Sequence, residues 1–240
     1  QLKGPSGDLV KLEIFIHGAL CMAISGKCYL SLHQANVSAN RGKCRQICRR
    51  SYEVTEKESG DKLLIDNEYI MSPKDLCTID FLDQLAESGV TVLKIEGRGR
   101  SPEYVKTATR CYHEALMALE KGDFTKEKVE IWKSKLEEVY NRGFWDGYYL
   151  GRKTGEWSHR YGSNATTRKV YIGKGTNYFK NHGVAEFLIE SRHLSVGDRV
   201  LVTGPTTGVM EFVIPEIRVN LKDTQKSEKG EYCSVPVPAK

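Results

Sequence analysis

The sequence has no apolar run approaching the roughly 20 residues of a membrane-spanning helix, which excludes a helical integral membrane protein. It starts at Gln1 with no charged-then-apolar leader, so no signal peptide is expected. Neither a G-x-S-x-G nor an H-E-x-x-H motif occurs; serine-hydrolase and zincin readings lack their usual signs. Gly173-Lys174-Gly175-Thr176-Asn177-Tyr178 lacks the third glycine of a dinucleotide fingerprint. The turn Gly204-Pro205-Thr206-Thr207-Gly208 lacks the Lys-Ser/Thr ending of a phosphate loop. There is no internal repeat and no low-complexity tract. A disulfide scaffold is also missing: such chains are short and evenly paired, whereas this one is long, Lys/Glu-rich and holds seven cysteines. A reducing, cytoplasmic compartment is expected, and the thiols are candidates for ligands.

What is present is an ordinary globular composition. The 240 residues are 40% hydrophobic and 28% charged, with a net charge of +5. That length suits one large domain or two modest ones. The mild basicity permits a polyanionic partner without demanding one.

Residues 9–16 form an apolar, β-branched run that reads as a buried strand. Residues 18–50 carry four cysteines among Gly, Ser and Asn; a long loop of this kind inside a domain is usually functional. Ser72-Pro73-Lys74-Asp75 has the marks of a helix start, and Leu76, Ile79, Leu82 and Leu85 continue it to Gly89. Residues 90–95 read as a second strand. Ser101-Pro102-Glu103 opens a helix striped by Val105, Ala108, Tyr112, Ala115, Leu116 and Leu119, and a further helix carries Val129, Trp132, Leu136 and Val139. This order predicts β/α units and a parallel sheet. Residues 143–166, rich in Gly and aromatics, read as a linker. Beyond it, short runs at 169–173, 183–189, 198–202 and 209–214 read as strands of a small barrel. The expected domains are 1–142, a 143–166 linker and 167–240.

The early cysteines are Cys21, Cys28, Cys44 and Cys48. Thiolates select zinc, copper(I) or an iron–sulfur cluster. The gaps of seven, sixteen and four positions are looser than those of a structural zinc site and match neither standard ferredoxin run. On spacing alone the four either share a cofactor or are small buried apolar residues. Cys77, Cys111 and Cys233 read as packing on a helix, a helix and a strand, with Cys77 the one candidate for a substitute ligand. Arg41, Lys43, Arg45, Arg49 and Arg50 lie within ten positions that contain no acid. Lys94-Ile95-Glu96-Gly97-Arg98-Gly99-Arg100-Ser101 runs from a strand end into a helix N-terminus, where guanidiniums and free N–H groups bind phosphate or carboxylate. A solvated charged loop is the bland alternative. His17, four residues before Cys21, either orients a substrate or is a satisfied or exposed histidine.

The run Glu13-Ile14-Phe15-Ile16-His17-Gly18-Ala19-Leu20-Cys21, followed by Gly26-Lys27-Cys28-Tyr29-Leu30-Ser31, resembles the signature of the collagenase-like peptidases of unassigned catalytic type, the U-type family numbered thirty-two. The resemblance continues through Asn40-Arg41-Gly42-Lys43-Cys44-Arg45-Gln46-Ile47-Cys48-Arg49, Ser72–Leu76 and Lys94-Ile95-Glu96-Gly97-Arg98, and resumes at Gly183-Val184-Ala185-Glu186 and Gly204–Gly208. It implies an α/β then all-β chain: the C-terminal part of a (β/α) TIM-like barrel, followed by a small elongation-factor-like β-barrel as in the YegQ-type branch. Such relatives hydroxylate tRNA wobble uridine to 5-hydroxyuridine, with prephenate implicated, or act on ribosomal RNA or a quinone precursor. The small barrel favours the RNA branch. Residue by residue, the resemblance implies a [4Fe-4S] cluster on Cys21, Cys28, Cys44 and Cys48. Substrate binding is expected at Arg49, Arg50, Lys94, Glu96, Arg98 and Arg100. The implied partners are tRNA, an electron donor and the missing N-terminal half of the barrel in the same full-length protein; no membrane is expected. The chain is thus expected to begin inside the barrel and to be unstable or self-associating alone. The alternatives are a collagenase-like peptidase, for which no catalytic residue can be placed, and a non-catalytic RNA-binding module.

Overall fold

The computed structural model describes residues 3–23, 27–62, 71–151 and 155–238. The chain divides into two compact units, Gln1–Thr167 and Arg168–Lys240. Among the described residues no helix is long and apolar enough to cross a membrane.

Four short strands build the sheet of the first unit: β1 (Glu13–Ala19), β2 (Asp75–Cys77), β3 (Val92–Ile95) and β4 (Phe144–Trp145), in the order β3–β1–β2–β4. β1 is parallel to β3, and β2 to β4. β1 and β2, however, run antiparallel, with His17 opposite Cys77 and Ala19 opposite Asp75. The sheet is therefore mixed, not uniformly parallel as strand–helix order predicts. It does not close into a barrel among the described residues. Where β1 meets the end of β3, Gly18 has φ +115, and a Cβ there would stand 2.6 Å from the Glu96 carbonyl oxygen. Only glycine tolerates both the conformation and the approach.

The helices are α1 (Tyr29–Ala35), α2 (Leu82–Glu87), α3 (Pro102–Glu120) and α4 (Lys126–Glu138). α3 starts where the sequence predicts, with Ser101 at the N-cap and Pro102 in the first turn. It buries Tyr104, Ala108, Cys111, Tyr112, Ala115 and Ala118. α4 is capped by Thr125, whose side chain accepts from the Lys128 N–H, and it buries Val129, Trp132 and Leu136. All of these but Tyr104 join Ile16, Ile79 and Leu82 in one core. Each fully buried aliphatic side chain contributes about 1.5–3 kcal/mol relative to exposure.

The helix expected from Ser72 is not formed there. Ser72 and Asp75 are buried and committed to distant partners: Ser72 Oγ accepts from Arg49, and Asp75 meets Arg100 and Arg142. That draws residues 75–77 into the sheet, so Cys77 lies on a strand, and α2 begins only at Leu82 after a 3-10 turn. The linker reading of 143–166 is also corrected. Phe144–Trp145 pairs with β2, the Trp157 backbone bridges Pro73, and the Asn164 N–H donates to the Asn141 carbonyl at 2.7 Å. The described residues of this stretch belong to the first unit.

The second unit is all-β, as expected. Its strands are β5 (Gly173–Phe179), β6 (Val184–Ile189), β7 (His193–Ser195), β8 (Arg199–Gly204), β9 (Gly208–Val213), β10 (Ile217–Val219), β11 (Lys222–Thr224), β12 (Lys226–Glu228) and β13 (Tyr232–Pro236). Five pair antiparallel in the order β11–β10–β13–β6–β5, beside the pairs β7–β12 and β8–β9. The strand expected over 169–173 forms instead from Gly173 onward. A Cβ at Gly173 would lie 2.0 Å from the Leu188 carbonyl oxygen, so this glycine serves close strand contact. Ile189, Leu194, Ile214, Ile217, Cys233 and Val235 form a separate core.

Candidate functional site: four thiols above a buried arginine network

β1 ends at Ala19 and delivers Cys21 to the surface. Cys28 is the N-cap of α1. Cys44 is exposed, and Cys48 sits in the 3-10 turn Ile47–Arg49. Three of the four sulfurs accept a backbone N–H: Cys21 from Ala23 at 3.3 Å, Cys28 from Ser31 at 3.5 Å and Cys44 from Gln46 at 3.4 Å. Such dipoles favour negative charge on sulfur. The Ser31 N–H is the main reason the Cys28 thiol is held below its ordinary value. Cys48 is pushed up by burial, and the Arg49 guanidinium opposes that; Cys44, Cys21 and Cys28 all lie near enough to Cys48 to act on it electrostatically.

The donor set is soft, and three of its sulfurs accept a backbone N–H, which fits a thiolate-bound iron–sulfur group. A mononuclear site fits less well. Among the described residues no three His, Cys, Asp or Glu side chains gather as ligands of one ion. A single zinc needs every sulfur about 2.3 Å from one point. A cubane instead gives each thiolate its own iron and so accepts a wider spread.

Beneath the thiols lies a buried polar network. Arg49 donates to the Pro73 carbonyl at 2.6 Å, the Leu20 carbonyl at 2.5 Å and Ser72 Oγ at 3.3 Å. It thereby ties the segment before Cys21, the turn bearing Cys48 and the entry to β2 together. Asp75, 1% exposed, accepts from Arg100 at 2.9 Å and lies 3.4 Å from Arg142. Arg142 also donates to Gln46 Oε1 at 2.9 Å. The Tyr140 ring lies 4.2 Å from the Arg100 guanidinium carbon and 5.1 Å from that of Arg142, within cation–π range.

His17 is buried between Tyr104, Tyr112 and Phe144, with Nδ1 3.4 Å from Tyr112 Oη. Its Nε2 has no hydrogen-bond partner among the described residues. Burial, aided by Arg100, lowers its pKa to about 3. The imidazole is therefore neutral near pH 7, and it is neither exposed nor fully satisfied.

The expected site residues separate on inspection. Cys21, Cys28 and Cys44 lie within electrostatic range of Cys48 without gathering as the ligands of one ion; Cys77 is placed elsewhere. It lies in the core, 3.8 Å from Tyr112 Oη, and burial raises its thiol to about 11. Arg49 and Arg100 are buried and face inward, so they are unavailable to RNA phosphate. Lys94 pairs with Glu13 at 2.9 Å and lies over the Phe15 ring. Glu96 accepts from the Arg98 N–H at 2.7 Å and shapes its loop. Arg50 and Arg98 are exposed, as are Arg41, Lys43 and Arg45. Arg98 lies against the cysteine segment, its Nη1 3.4 Å from where a Gly42 Cβ would stand. Arg142, Gln46 and Asp75 were not legible as site residues. The only local hint at Arg142 is a cation between Asn141 and Gly143 in a turn. A cleft of about 540 Å³ in this unit is lined by Asp80, Lys133, Glu137, Trp145 and Glu156 among others, and by none of the early cysteines.

This arrangement accompanies a clear kinship. The sequence profile of peptidase family U32 matches residues 5–159. The chain belongs to peptidase family U32. It is 57% identical over 237 residues to a collagenase of Porphyromonas gingivalis, a match covering 99% of this chain and 57% of that protein. It is 39% identical over 241 residues to an uncharacterized protease of Methanocaldococcus jannaschii, covering 98% and 58%. With tRNA hydroxylation protein P1 of Bacillus subtilis it shares 32% identity over 203 residues, covering 82% and 47%. The U32 chain thus spans about half the length of the curated relatives it matches.

Proposed function

We propose that this U32 chain is the cysteine-bearing portion of an RNA-hydroxylating enzyme, acting on wobble uridine of tRNA to give 5-hydroxyuridine. Cys21, Cys28, Cys44 and Cys48 would hold a [4Fe-4S] cluster. The observation that carries the reading is that three of the four sulfurs accept a backbone N–H, while the fourth, Cys48, adjoins the Arg49 guanidinium, which opposes the effect of its burial. Such a cluster, when bound, supplies one-electron transfer. The chain's own residues do the rest. The exposed Arg41, Lys43, Arg45, Arg50 and Arg98 meet phosphates of the tRNA, with binding that weakens steeply as salt rises. The same cations serve a carboxylate co-substrate of the prephenate kind. His17, enclosed among Tyr104, Tyr112 and Phe144, stays neutral near pH 7 and so adds no positive charge.

A relative named as a tRNA hydroxylation protein supports this reading. The names of two relatives favour a peptidase instead. Against it, no histidine hydrogen-bonds a serine, cysteine or threonine side chain among the described residues, so an activated nucleophile of the usual kind is missing. A non-catalytic RNA-binding module would not need N–H donors on its sulfurs.

The deciding experiment is mass spectrometry of total tRNA nucleosides from a strain lacking the gene, complemented with wild type or with Cys21→Ser and Cys48→Ser. Loss of 5-hydroxyuridine-derived nucleosides, restored only by wild type, is expected. Anaerobic reconstitution should give about four iron and four sulfide per chain. Unchanged nucleosides, together with gelatin hydrolysis abolished by the same substitutions, would reverse the reading in favour of a peptidase.

A further inference from the structure

The network under the thiols carries unbalanced charge. Arg49, Arg100 and Arg142 are buried, and the one buried carboxylate among them is Asp75. Asp75 is engaged by Arg100 and Arg142. Arg49 hydrogen-bonds two carbonyls and a hydroxyl and no carboxylate among the described residues; Asp75, already shared by two arginines, acts on it only at longer range. A buried cation short of counter-charge is unfavourable, and a ligand of opposite sign would relieve it. Arg49 directly follows Cys48, the one early cysteine whose sulfur accepts no backbone N–H in the described structure. Arg142 reaches the same segment through Gln46, which lies between Cys44 and Cys48.

We propose that Arg49, backed by Arg100 and Arg142, is the built-in counter-charge of the four-thiolate site. The inference rests on the reading that these cysteines hold an iron–sulfur cluster. A [4Fe-4S] core of charge 2+ on four thiolates is a dianion overall, and one-electron reduction makes it a trianion. Two guanidiniums in excess of carboxylate offset that charge, and they favour the reduced state because reduction adds a further negative charge beside them. Arg49 is therefore a positioning and potential-setting residue and not a catalytic one. Its three hydrogen bonds hold the Cys21 and Cys48 segments in register, and its charge tunes what they bind. The same assignment explains why an arginine expected to contact RNA phosphate lies beneath the site, where RNA cannot reach it.

The test compares Arg49→Gln and Arg49→Lys with wild type in the full chain, each reconstituted anaerobically with iron and sulfide. The midpoint potential is measured by spectroelectrochemical titration with dithionite as the one-electron donor. Arg49→Gln is expected to shift the potential to more negative values at unchanged iron content, and Arg49→Lys to return it close to wild type. A merely structural role would let both variants lose iron alike without a charge-dependent shift. An intact cluster in Arg49→Gln with the wild-type potential overturns the inference while leaving the cluster reading in place. Wild type that takes up no iron and sulfide overturns both. If Arg49→Gln does not fold, Arg142→Gln carries the same expectation with a smaller shift, since Arg142 acts through Gln46. No shift in that variant is equally decisive against the inference.

Discussion

Cys21, Cys28, Cys44 and Cys48 lie on turns and helix ends at or near the surface, whereas Cys77 and Cys111 lie in the core with Ile16, Leu82, Ala108 and Leu136. The same side chain serves two chemistries. In the core, burial raises Cys77 and Cys111 to about 11, where they behave as small hydrophobes with a weak S–H donor. In the loop, N–H groups aim at sulfur and little apolar surface covers it. The core takes its order from packing. The loop takes what order it has from a few polar ties, chiefly Arg49 to Leu20 and the Arg45 N–H to Ser31 Oγ at 3.4 Å. A region held so lightly gains most from a ligand, because anything that binds only the folded form stabilises it by mass action.

The largest expected effect tests whether the two regions are as separate as this contrast implies. Asp75→Asn leaves Arg100 and Arg142 buried beside a neutral amide. Breaking a buried pair by removing one partner costs about 3–5 kcal/mol, and here two pairs share one carboxylate. Urea denaturation of the apo chain should show that loss. Loading the thiol site should recover part of it, since the bound dianion supplies the missing negative charge. An Asp75→Asn variant as stable as wild type would mean that solvent reaches the network and that the core does not depend on it.

A smaller effect concerns His17, which joins core to loop. Its folded pKa of about 3 lies below the ordinary 6.5. As pH falls, the unfolded chain takes up the proton first. The stability contribution is therefore complete above about pH 6.5 and is lost progressively toward pH 3. Between pH 6 and pH 4 the loss from this one group is about 2.5 kcal/mol. His17→Phe keeps a ring among Tyr104, Tyr112 and Phe144 and removes the unpartnered Nε2. It should hold its stability at pH 7 and flatten the acid limb of a pH–stability curve by that amount. An acid limb unchanged from wild type would show that His17 is open to water and belongs with the loop.

The contrast between regions also sets what was legible in the sequence. α3 and α4 were readable because periodicity and caps are local, as Pro102, Ala108, Tyr112 and Trp132 illustrate. β1 was readable as an apolar run. Residues 72–77 were misread because Ser72 and Asp75 look like helix-start residues; their actual partners are arginines 23, 25 and 67 positions away. Local propensity cannot see such pairs. Phe144–Trp145 failed for a related reason, since a two-residue strand leaves no periodicity to detect. The four cysteines were legible as candidates; the backbone N–H groups that three of their sulfurs accept were not. Arg49 was legible as a cation, but nothing local says that it points inward.

The smallest effect sharpens the contrast most, because its two consequences have opposite sign. Cys28 is the N-cap of α1, and its Sγ accepts from the Ser31 N–H at 3.5 Å. Serine is among the preferred residues at that position; its smaller, harder oxygen makes the stronger cap. A sequence chosen for helix stability alone would place serine there. Cys28→Ser should therefore leave the apo chain as stable as wild type or more stable by about 0.5–1 kcal/mol, measured by urea denaturation. The same substitution removes one of four soft donors, so iron retained after anaerobic reconstitution and desalting should fall sharply. By contrast, Cys111→Ser in the core puts a hydroxyl among Ala108, Ala115 and Leu136, and it should cost stability without touching iron retention. If Cys28→Ser destabilised the apo chain while keeping its iron, Cys28 would be a packing residue like Cys111, and the division between the two sets of cysteines would collapse.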